Sequence, residues 1–398
     1  MELILFERLF FIKSLVMDPF KDELKYLKTE VKRLTNELER REEKLQEQKV
    51  LLSQYWDTIQ SMRIINRIKR VLGLNQFQVW KNKIYINGVR LFKRKNLTHE
   101  VICIKIPPKN WLESIYWGDY YFARSLRKSL VKVGYKVIVQ VEDEWYSNFD
   151  SSHINLVLRG PKKYRVRQSR MNIMWNISHP YDITLSEYEE YDHVFIASEY
   201  YVEKIVDKLS VTVSPLMQCS DTSVFYPVSG RRDKNIVFIG NSHGAVRPVV
   251  EKANSSGHKL NIYGKDWEGL INSSLIKGSF IRNRDLRFFY AKSGLVLNDH
   301  WEVMRVEGFV SNRVFDVLAC NGRIVSDNVT GIPRDIARFI RTYDTANDLN
   351  VCIKQELNNS DNTDSSIVIK RAHSFNNRAE AIHLVIQLII KNGEQNIR

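Results

Sequence analysis

The segment from Leu295 to Asp327 constrains the fold more than any other. It opens with an apolar run, Leu295–Leu297, which has the character of a buried parallel strand. The run ends in a polar cluster, Asn298, Asp299 and His300. Glu307-Gly308-Phe309-Val310-Ser311-Asn312-Arg313 then leads into an apolar-periodic helix from Val314 to Ala319, and Ile324-Val325 supplies a second strand that ends at Ser326-Asp327. Strand, polar loop, helix and strand in this order make a βαβ unit. Open α/β sheets bind ligands at the carboxyl ends of such strands, beside helix N-termini. A helix that starts with Ser311, Asn312 and Arg313 suits a diphosphate, because it offers backbone N–H groups, a positive dipole end and a guanidinium. Asp316, about one turn in, is placed to take sugar hydroxyls. An ordinary capped helix accounts for these residues equally well.

The totals bound the remaining choices. A chain of 398 residues holds two domains of ordinary size and an appendage. The four cysteines, Cys103, Cys219, Cys320 and Cys352, are too widely spaced for a zinc site or a disulfide framework, so a reducing compartment is expected. The net charge of +14 implies an anionic partner: nucleic acid, anionic lipid or a phosphate-bearing substrate. There is no run of about 20 uncharged apolar residues, so no transmembrane helix is expected.

Three N-terminal features precede the domains. Residues 1–16 are apolar but interrupted by charge and lack the basic start and cleavage site of a signal peptide; they suit an interfacial anchor, and the alternative is that Met17 is the true start. Over residues 20–60, Leu24, Leu27, Val31, Leu34, Leu38, Leu45 and Leu52 recur at steps of three and four, with Arg41 and Gln48 at the remaining seam positions. This pattern predicts a coiled coil and hence a homo-oligomer; the alternative is one long helix packed on its own domain. Residues 61–99 form a basic amphipathic linker. Within 62–96 there are ten Lys or Arg and no acid, and Ile64, Ile65, Ile68, Val71 and Leu72 fall at helical spacing. Such a segment reads as an element for an anionic membrane surface, against the blander reading of a solvated linker.

Two Rossmann-like domains are expected after this. Residues 100–230 carry short apolar strands at Val101–Ile106, Val137–Val141, Ile154–Leu158, Ile173–Ile177 and Val194–Ala197, and a helix from Tyr120 to Val133 closed by Gly134. Residues 231–350 carry strands at Ile236–Ile239 and Leu260–Tyr263. The loop Gly240-Asn241-Ser242-His243-Gly244 precedes a helix at Arg247, and can cradle phosphate with its backbone N–H groups while Arg247 adds charge. It is neither a full GxGxxG nor a Walker loop, which disfavours NAD and ATP hydrolysis. Trp267 is a candidate for stacking on a base, although core packing is the commoner use of such a residue. Six basic residues from Arg159 to Arg170 make either a solvated loop or a contact for pyrophosphate. Residues 351–398 are read as a loop and one long amphipathic helix, Ile367–Ile390.

Four segments carry a family resemblance: Trp117-Gly118-Asp119-Tyr120-Tyr121-Phe122-Ala123, Trp175-Asn176-Ile177-Ser178-His179-Pro180, Phe238-Ile239-Gly240-Asn241-Ser242, and the run from Asn298 to Cys320. In this order they resemble the GT-B glycosyltransferases, in which two Rossmann-like domains face across a cleft. The likeness is greatest to the CgeB-like and rhamnosyltransferase-like branch of bacterial surface-glycan biosynthesis, and it covers roughly residues 100–350. The resemblance implies transfer of a sugar from a nucleotide-diphosphate sugar to a glycan or lipid-linked acceptor. It places Gly240, Asn241, Ser242, Arg247, Tyr263, Gly264, Asn298, His300, Arg305, Glu307, Ser311, Asn312, Arg313 and Asp316 on the donor, and Trp117, Gly118 and Tyr120 on the acceptor. It also implies that the C-terminal helix crosses back to the first domain.

A sugar hydroxyl must lose its proton as it attacks, so Asp119 is the expected general base and His179 the second candidate. A helix N-cap is the structural alternative for Asp119, and Glu142, Asp143 and Glu144 are further carboxylates to weigh. No Asp-x-Asp pair is present, so transfer without a metal or other cofactor is expected. Glu307 and Asp316 are nine positions apart and the second is Asp, where related retaining enzymes carry two Glu at a shorter spacing, so the resemblance does not fix the stereochemistry. A cytoplasmic location follows, peripheral at the inner face of the plasma membrane. The rival readings are a sugar-nucleotide epimerase or phosphorylase on the same architecture, and a coiled-coil nucleic-acid-binding protein. The basic residues lie mainly outside the expected core domains, and no helix-turn-helix or zinc module is present, so nucleic acid is not the expected partner.

Overall fold

A computed structural model describes residues 100–147, 153–359 and 364–395. The expected coiled coil, the apolar N-terminus and the basic segment of residues 61–99 lie outside these residues. Asn96–Arg398 forms one unit built on two parallel sheets.

The first sheet has the order β2-β1-β3-β4-β5-β6, with β1 Val101–Lys105, β2 Lys136–Gln140, β3 Ile154–Arg159, β4 Met171–Asn176, β5 His193–Ile196 and β6 Val213–Pro215. All its pairings are parallel. Every residue of β3 is buried, as expected for a central parallel strand covered on both faces. Helix α1, Gly118–Val133, buries Phe122, Ala123, Leu126 and Leu130, which lie at helical spacing, and it ends at Gly134 in the left-handed region with φ 113°.

The second sheet has the order β12-β11-β10-β7-β8-β9, with β7 Ile236–Ile239, β8 Leu260–Tyr263, β9 Ile276–Gly278, β10 Leu295–Asn298, β11 Ile324–Asp327 and β12 Ile340–Tyr343. The order reverses between β7 and β10, so a crevice opens beyond their carboxyl ends at Gly240 and Asn298. In the first sheet the reversal falls between β1 and β3. Helices α2 Glu199–Ile205, α3 Pro248–Ser255, α4 Leu286–Lys292, α5 Asn312–Ala319 and α6 Ala346–Asn358 complete the layers. The central strands coincide with the apolar runs of the sequence. The edge strands β6, β9 and β12 do not stand out there, because two are only three residues long and β12 has two exposed residues at its centre.

The expected single helix over Ile367–Ile390 is two. Helix α7, Ser365–Ala372, packs on α5 and places Val368 and Ile369 in the second domain's core. The chain then breaks at His373-Ser374, where Ser220 N–H donates to the His373 carbonyl and Phe375 N–H to the Ser220 carbonyl. Helix α8, Phe375–Gln395, places Phe375, Ala379, Ile382 and Ile386 in the first domain's core. The break exists because one straight helix cannot bury its apolar face in two separate cores. Among the described residues no helix is long and apolar enough to cross a membrane.

Candidate active site

Two neighbouring hollows share Gln218, Ser311, Asn312 and Arg313 in their walls. The larger, about 400 Å³, is bounded by Gly118, Asp119 and Ser178 from the first domain and by Asn312, Arg313 and Asp316 from the second. The other, about 230 Å³, lies over Gly240 and Asn241 and is shared by Arg313, Arg247, His243 and Trp301. Gln218, on the chain crossing between the domains, lines both.

Arg313 is the centre of the arrangement. Its Nη1 donates to Asn298 Oδ1 at 2.7 Å, so the carboxyl end of β10 aims the guanidinium. Its charge lies over the Phe238 ring, 5.2 Å from the centroid. A Cβ on Gly240 would lie 2.8 Å from Arg313 Nη2, so the absence of a side chain at the end of β7 is what lets the arginine settle there. Arg313 has no carboxylate partner in ion-pair contact among the described residues. Asn312 Nδ2 donates to Asp316 Oδ2 at 2.8 Å, while Asn312 Oδ1 is buried without a donor.

The Gly240–Gly244 loop is held from beneath. Gly240 N–H donates to the Tyr263 carbonyl at 2.8 Å, and Trp267 Nε1 donates to the Gly240 carbonyl at 2.8 Å. Gly264, at φ 148°, has no room for a side chain, because a Cβ would collide with the Gly240 carbonyl. Ser242 is buried and donates to the Asp266 carbonyl, and Asn241 Oδ1 accepts from Lys265 N–H at 2.9 Å. Trp267 is fully buried in the core rather than open to a base. Tyr263 packs edge-on to Phe289 beneath the loop. Of the loop residues, Gly240, Asn241 and His243 reach the hollow.

Several residues expected at the donor do other work. Arg247 grips Asp299 with two nitrogens, Nη2 to Oδ1 at 2.6 Å and Nε to Oδ2 at 3.2 Å, and lies 4.1 Å from the Trp301 ring centroid, so its charge is already answered. His300 is a structural pin. Its Nδ1 meets Asp327 Oδ1 at 2.6 Å, and its Nε2 accepts the Ser311 N–H at 2.8 Å. That arrangement assigns the proton to Nδ1. It also occupies the amide of Ser311, the N-cap of α5, so this end of the helix presents fewer open N–H groups than its sequence suggests. Glu307 is turned onto the first domain. It accepts from Tyr181 Oη at 2.5 Å and Lys204 Nζ at 2.7 Å, and its backbone carbonyl accepts from Ser198 Oγ at 2.6 Å. Arg305 pairs with Glu302 at 2.6 Å and lines a different hollow, beside Asp327 and Tyr343.

On the first domain, Trp117 is the N-cap of α1 and makes no side-chain cap bond, so Asp119 lies inside the first turn rather than capping it. Burial in the cleft pushes the Asp119 carboxyl up to about 6, partly offset by its own backbone N–H. Its Oδ1 and Ser178 Oγ both lie close to Gly160. Asp119 has no side-chain partner among the described residues. His179 has left-handed backbone, φ 53°, and its Nδ1 lies 2.7 Å from Ser178 Oγ. Burial lowers its pKa below the ordinary imidazole value, with Asp182 opposing and Arg159 and His243 adding to the fall. Tyr120 packs against Trp111 and Tyr121 and does not reach the hollow, whereas its neighbour Tyr121 does. Glu142 pairs with Lys162 and Glu144 with the Trp111 indole, in an exposed turn away from the cleft. The basic run from Arg159 spends three of its charges on ion pairs, including a buried one between Arg159 and Glu187 at 2.7 Å.

Asp316 is buried against Ser220 Oγ at 2.7 Å and Asn312, and desolvation pushes it up to about 8 despite both hydrogen bonds. Gln218, Ser178, Tyr121 and Asn283 were not singled out for the cleft. Tyr121 and Ser178 lie inside two of the segments that carry the resemblance, whereas nothing local in the sequence marks Gln218 and Asn283.

Comparison with known proteins agrees with this geometry. Residues 243–383 match the family model described as glycosyl transferase-like, which covers α3 through the first part of α8 and so includes Arg313. No curated protein matches the chain. Among solved structures, the fold is similar to sucrose-phosphate synthase from Thermosynechococcus elongatus, with a TM-score of 0.55, 12% identity and coverage of 74% of this chain and 100% of that one. It is also similar to AviGT4, a glycosyltransferase involved in avilamycin A biosynthesis, with a TM-score of 0.51, 14% identity and coverage of 73% and 98%. A mutant O-GlcNAc transferase from Thermobaculum terrenum aligns with a TM-score of 0.50 and 8% identity over 75% of this chain and 69% of that one. The pair of parallel α/β sheets is thus the fold of these glycosyltransferase and synthase structures, and the glycosyl transferase-like match is confined to residues 243–383.

Proposed function

We propose that the protein is a glycosyltransferase that uses a nucleotide-diphosphate sugar. The observation that carries this reading is Arg313: a guanidinium with no carboxylate partner, aimed by Asn298 over a side-chain-free Gly240 at the sheet's reversal point, and facing Asp119 across one hollow. The donor diphosphate lies against Arg313, the Gly240 loop and the amino end of α5, with Asn312 Oδ1 accepting from a ligand hydroxyl or N–H. The acceptor oxygen attacks the anomeric carbon and the bond to the diphosphate breaks. The departing diphosphate keeps the electron pair, and Asp119 takes the acceptor's proton. The guanidinium stabilises the charge that builds on the leaving group. His179, neutral near pH 7, is the second base.

The four matching segments support a hexosyl or deoxyhexosyl transferase of the CgeB-like, rhamnosyltransferase-like branch, acting in bacterial surface-polysaccharide synthesis on a glycan or lipid-linked acceptor. The heptads of residues 20–60 support a homo-oligomer, and the basic run of 62–96 supports contact with an anionic membrane from the cytoplasmic side. The absence of an Asp-x-Asp pair supports metal-independent transfer.

The test is a panel of sugar nucleotides scored by thermal shift, followed by product analysis with the one that stabilises most. Glycan product supports the reading. Free isomerised sugar nucleotide or released sugar phosphate assigns the rival chemistry. Absence of stabilisation by any nucleotide refutes it.

A further inference from the structure

A third hollow, about 480 Å³, adjoins the cleft and shares Tyr121, Ser125, Asp221 and Asn283 with it. One wall is a face of α1: Tyr121, Arg124, Ser125 and Lys128 stand at successive steps of three, one and three, so all four point the same way. The other wall is the Arg282-Asn283-Arg284 turn of the second domain. Four cations therefore meet from two domains around one space.

Their partners decide what the space can hold. Arg282 pairs with Asp285 at 2.6 Å, and Arg284 meets the same carboxylate at 3.8 Å. Asp221 faces the same hollow, but its carboxylate is already held by Ser125 Oγ at 2.8 Å and by Ser223. Lys128 Nζ touches only the Ser223 hydroxyl, and Arg124 lies over the Tyr120 ring at 5.5 Å. Neither Arg124 nor Lys128 has a carboxylate in ion-pair contact among the described residues. Four cations, Arg124, Lys128, Arg282 and Arg284, against the two carboxylates of Asp221 and Asp285 leave an excess of positive charge, which together with the lining hydroxyls suits an anion with several acceptor oxygens.

We propose that this hollow is a phosphate-binding subsite for the acceptor, so that the sugar-accepting substrate carries a phosphate or diphosphate group. The inference rests on the glycosyltransferase reading. Along the axis of α1, Arg124 lies about 7.5 Å and Lys128 about 13.5 Å from Asp119, at a rise of ~1.5 Å per residue. A phosphate held there leaves roughly one or two sugar rings to reach the base. The shared chemistry is a phosphate ester, borne either by a soluble sugar phosphate or by a prenyl diphosphate lipid.

The probe is inorganic pyrophosphate, titrated calorimetrically into the full chain with the donor site filled by whichever of UDP, GDP, ADP or dTDP most raises its Tm. The double variant Arg124→Gln/Lys128→Gln should weaken pyrophosphate binding at least tenfold while leaving the nucleotide's affinity unchanged. Arg124→Lys, which keeps the charge, should retain most of it. These side chains are exposed, so an unaltered Tm certifies the fold. If none of the nucleotides binds, the glycosyltransferase reading fails by itself. The same titration without nucleotide then still compares wild type with the double variant. Glucose 6-phosphate and micelles carrying a polyprenyl diphosphate are next used as competitors. Displacement by the first supports a soluble acceptor, and by the second a lipid-borne one. Wild-type pyrophosphate affinity in the double variant, or no displacement by either competitor, overturns the proposal.

Discussion

Gly240→Ala separates the site from the fold. The added Cβ would meet Arg313 Nη2 at 2.8 Å and the Phe238 ring at 3.3 Å. Nη2 is the far end of a flexible side chain and moves at little cost, whereas Phe238 is buried and shifts by only tenths of an ångström. Arg313 therefore leaves Asn298 Oδ1 and the phosphate position together. A hydrogen bond to a charged group contributes about 1.5–3 kcal/mol, so nucleoside diphosphate binding should weaken about ten- to a hundredfold. Overpacking beside Phe238 costs about 1 kcal/mol, which lowers Tm by a few degrees in a chain of this size. Titration calorimetry with the best nucleoside diphosphate gives the affinity, and a thermal melt gives the stability. Gly264→Ala is the contrast: its Cβ would strike backbone at a positive φ, so it should unfold the domain rather than tune it. In an Arg313→Ala background, Gly240→Ala should add no further loss, because both act through one guanidinium. An undiminished affinity in Gly240→Ala, or equal losses in both backgrounds, would refute the reasoning.

Other expectations are as direct. Asp119→Asn should keep nucleotide affinity but reduce transfer at least a hundredfold; full activity would move the base to His179. A base with a pKa near 6 must be ionised to act, so the wild-type rate should fall as pH drops through about 6, and a profile flat from pH 5 to 8 would exclude Asp119. The folded state holds the Asp316 proton up to about 8, whereas the unfolded chain releases it near 3.8. This group therefore makes stability fall as pH rises across that window. Asp316→Asn should flatten that part of the Tm–pH curve, and an unchanged slope would argue against it. Glu307→Gln removes the charged partner of Lys204 between the domains, so solution X-ray scattering should show a larger radius of gyration; an unaltered curve would show that the apolar contacts suffice.

The sheets were legible because parallel strands bury both faces and so appear as continuous apolar runs. Ile236–Ile239 and Leu260–Tyr263 match to the residue. The C-terminal break at His373-Ser374 was hidden, because helical periodicity runs on either side of it while the reason for stopping, Ser220, is far away in sequence. At the site, sequence showed which groups carry charge but not which charges are already answered. Arg247 and Arg313 look alike in the chain; only the fold reveals that Asp299 neutralises the first and nothing comparable meets the second. His300 looked like a ligand for the same reason. Its two ring nitrogens are satisfied by Asp327 and the Ser311 amide, partners that a reader of the chain cannot pair.

The placement of Glu307 bears on how the two domains meet. Lys204, Tyr181 and Ser198 all reach it from the first domain, and its own side chain is fully buried while Lys204 stays half in water. A buried carboxylate is stable only while its partners remain, so the contact resists partial loosening and favours either full engagement or release. Where the chain crosses between the domains, Ser220 hydrogen-bonds to the backbone of His373 and Phe375, and α8 is anchored in the first core. The polar tie at Glu307 and the backbone hydrogen bonds at Ser220 thus lie on separate connections, with the hollow of Asp119 and Arg313 bounded by both domains. The carboxylate that resemblance would place on the sugar is thus, in this structure, bonded to Tyr181 and Lys204 of the first domain.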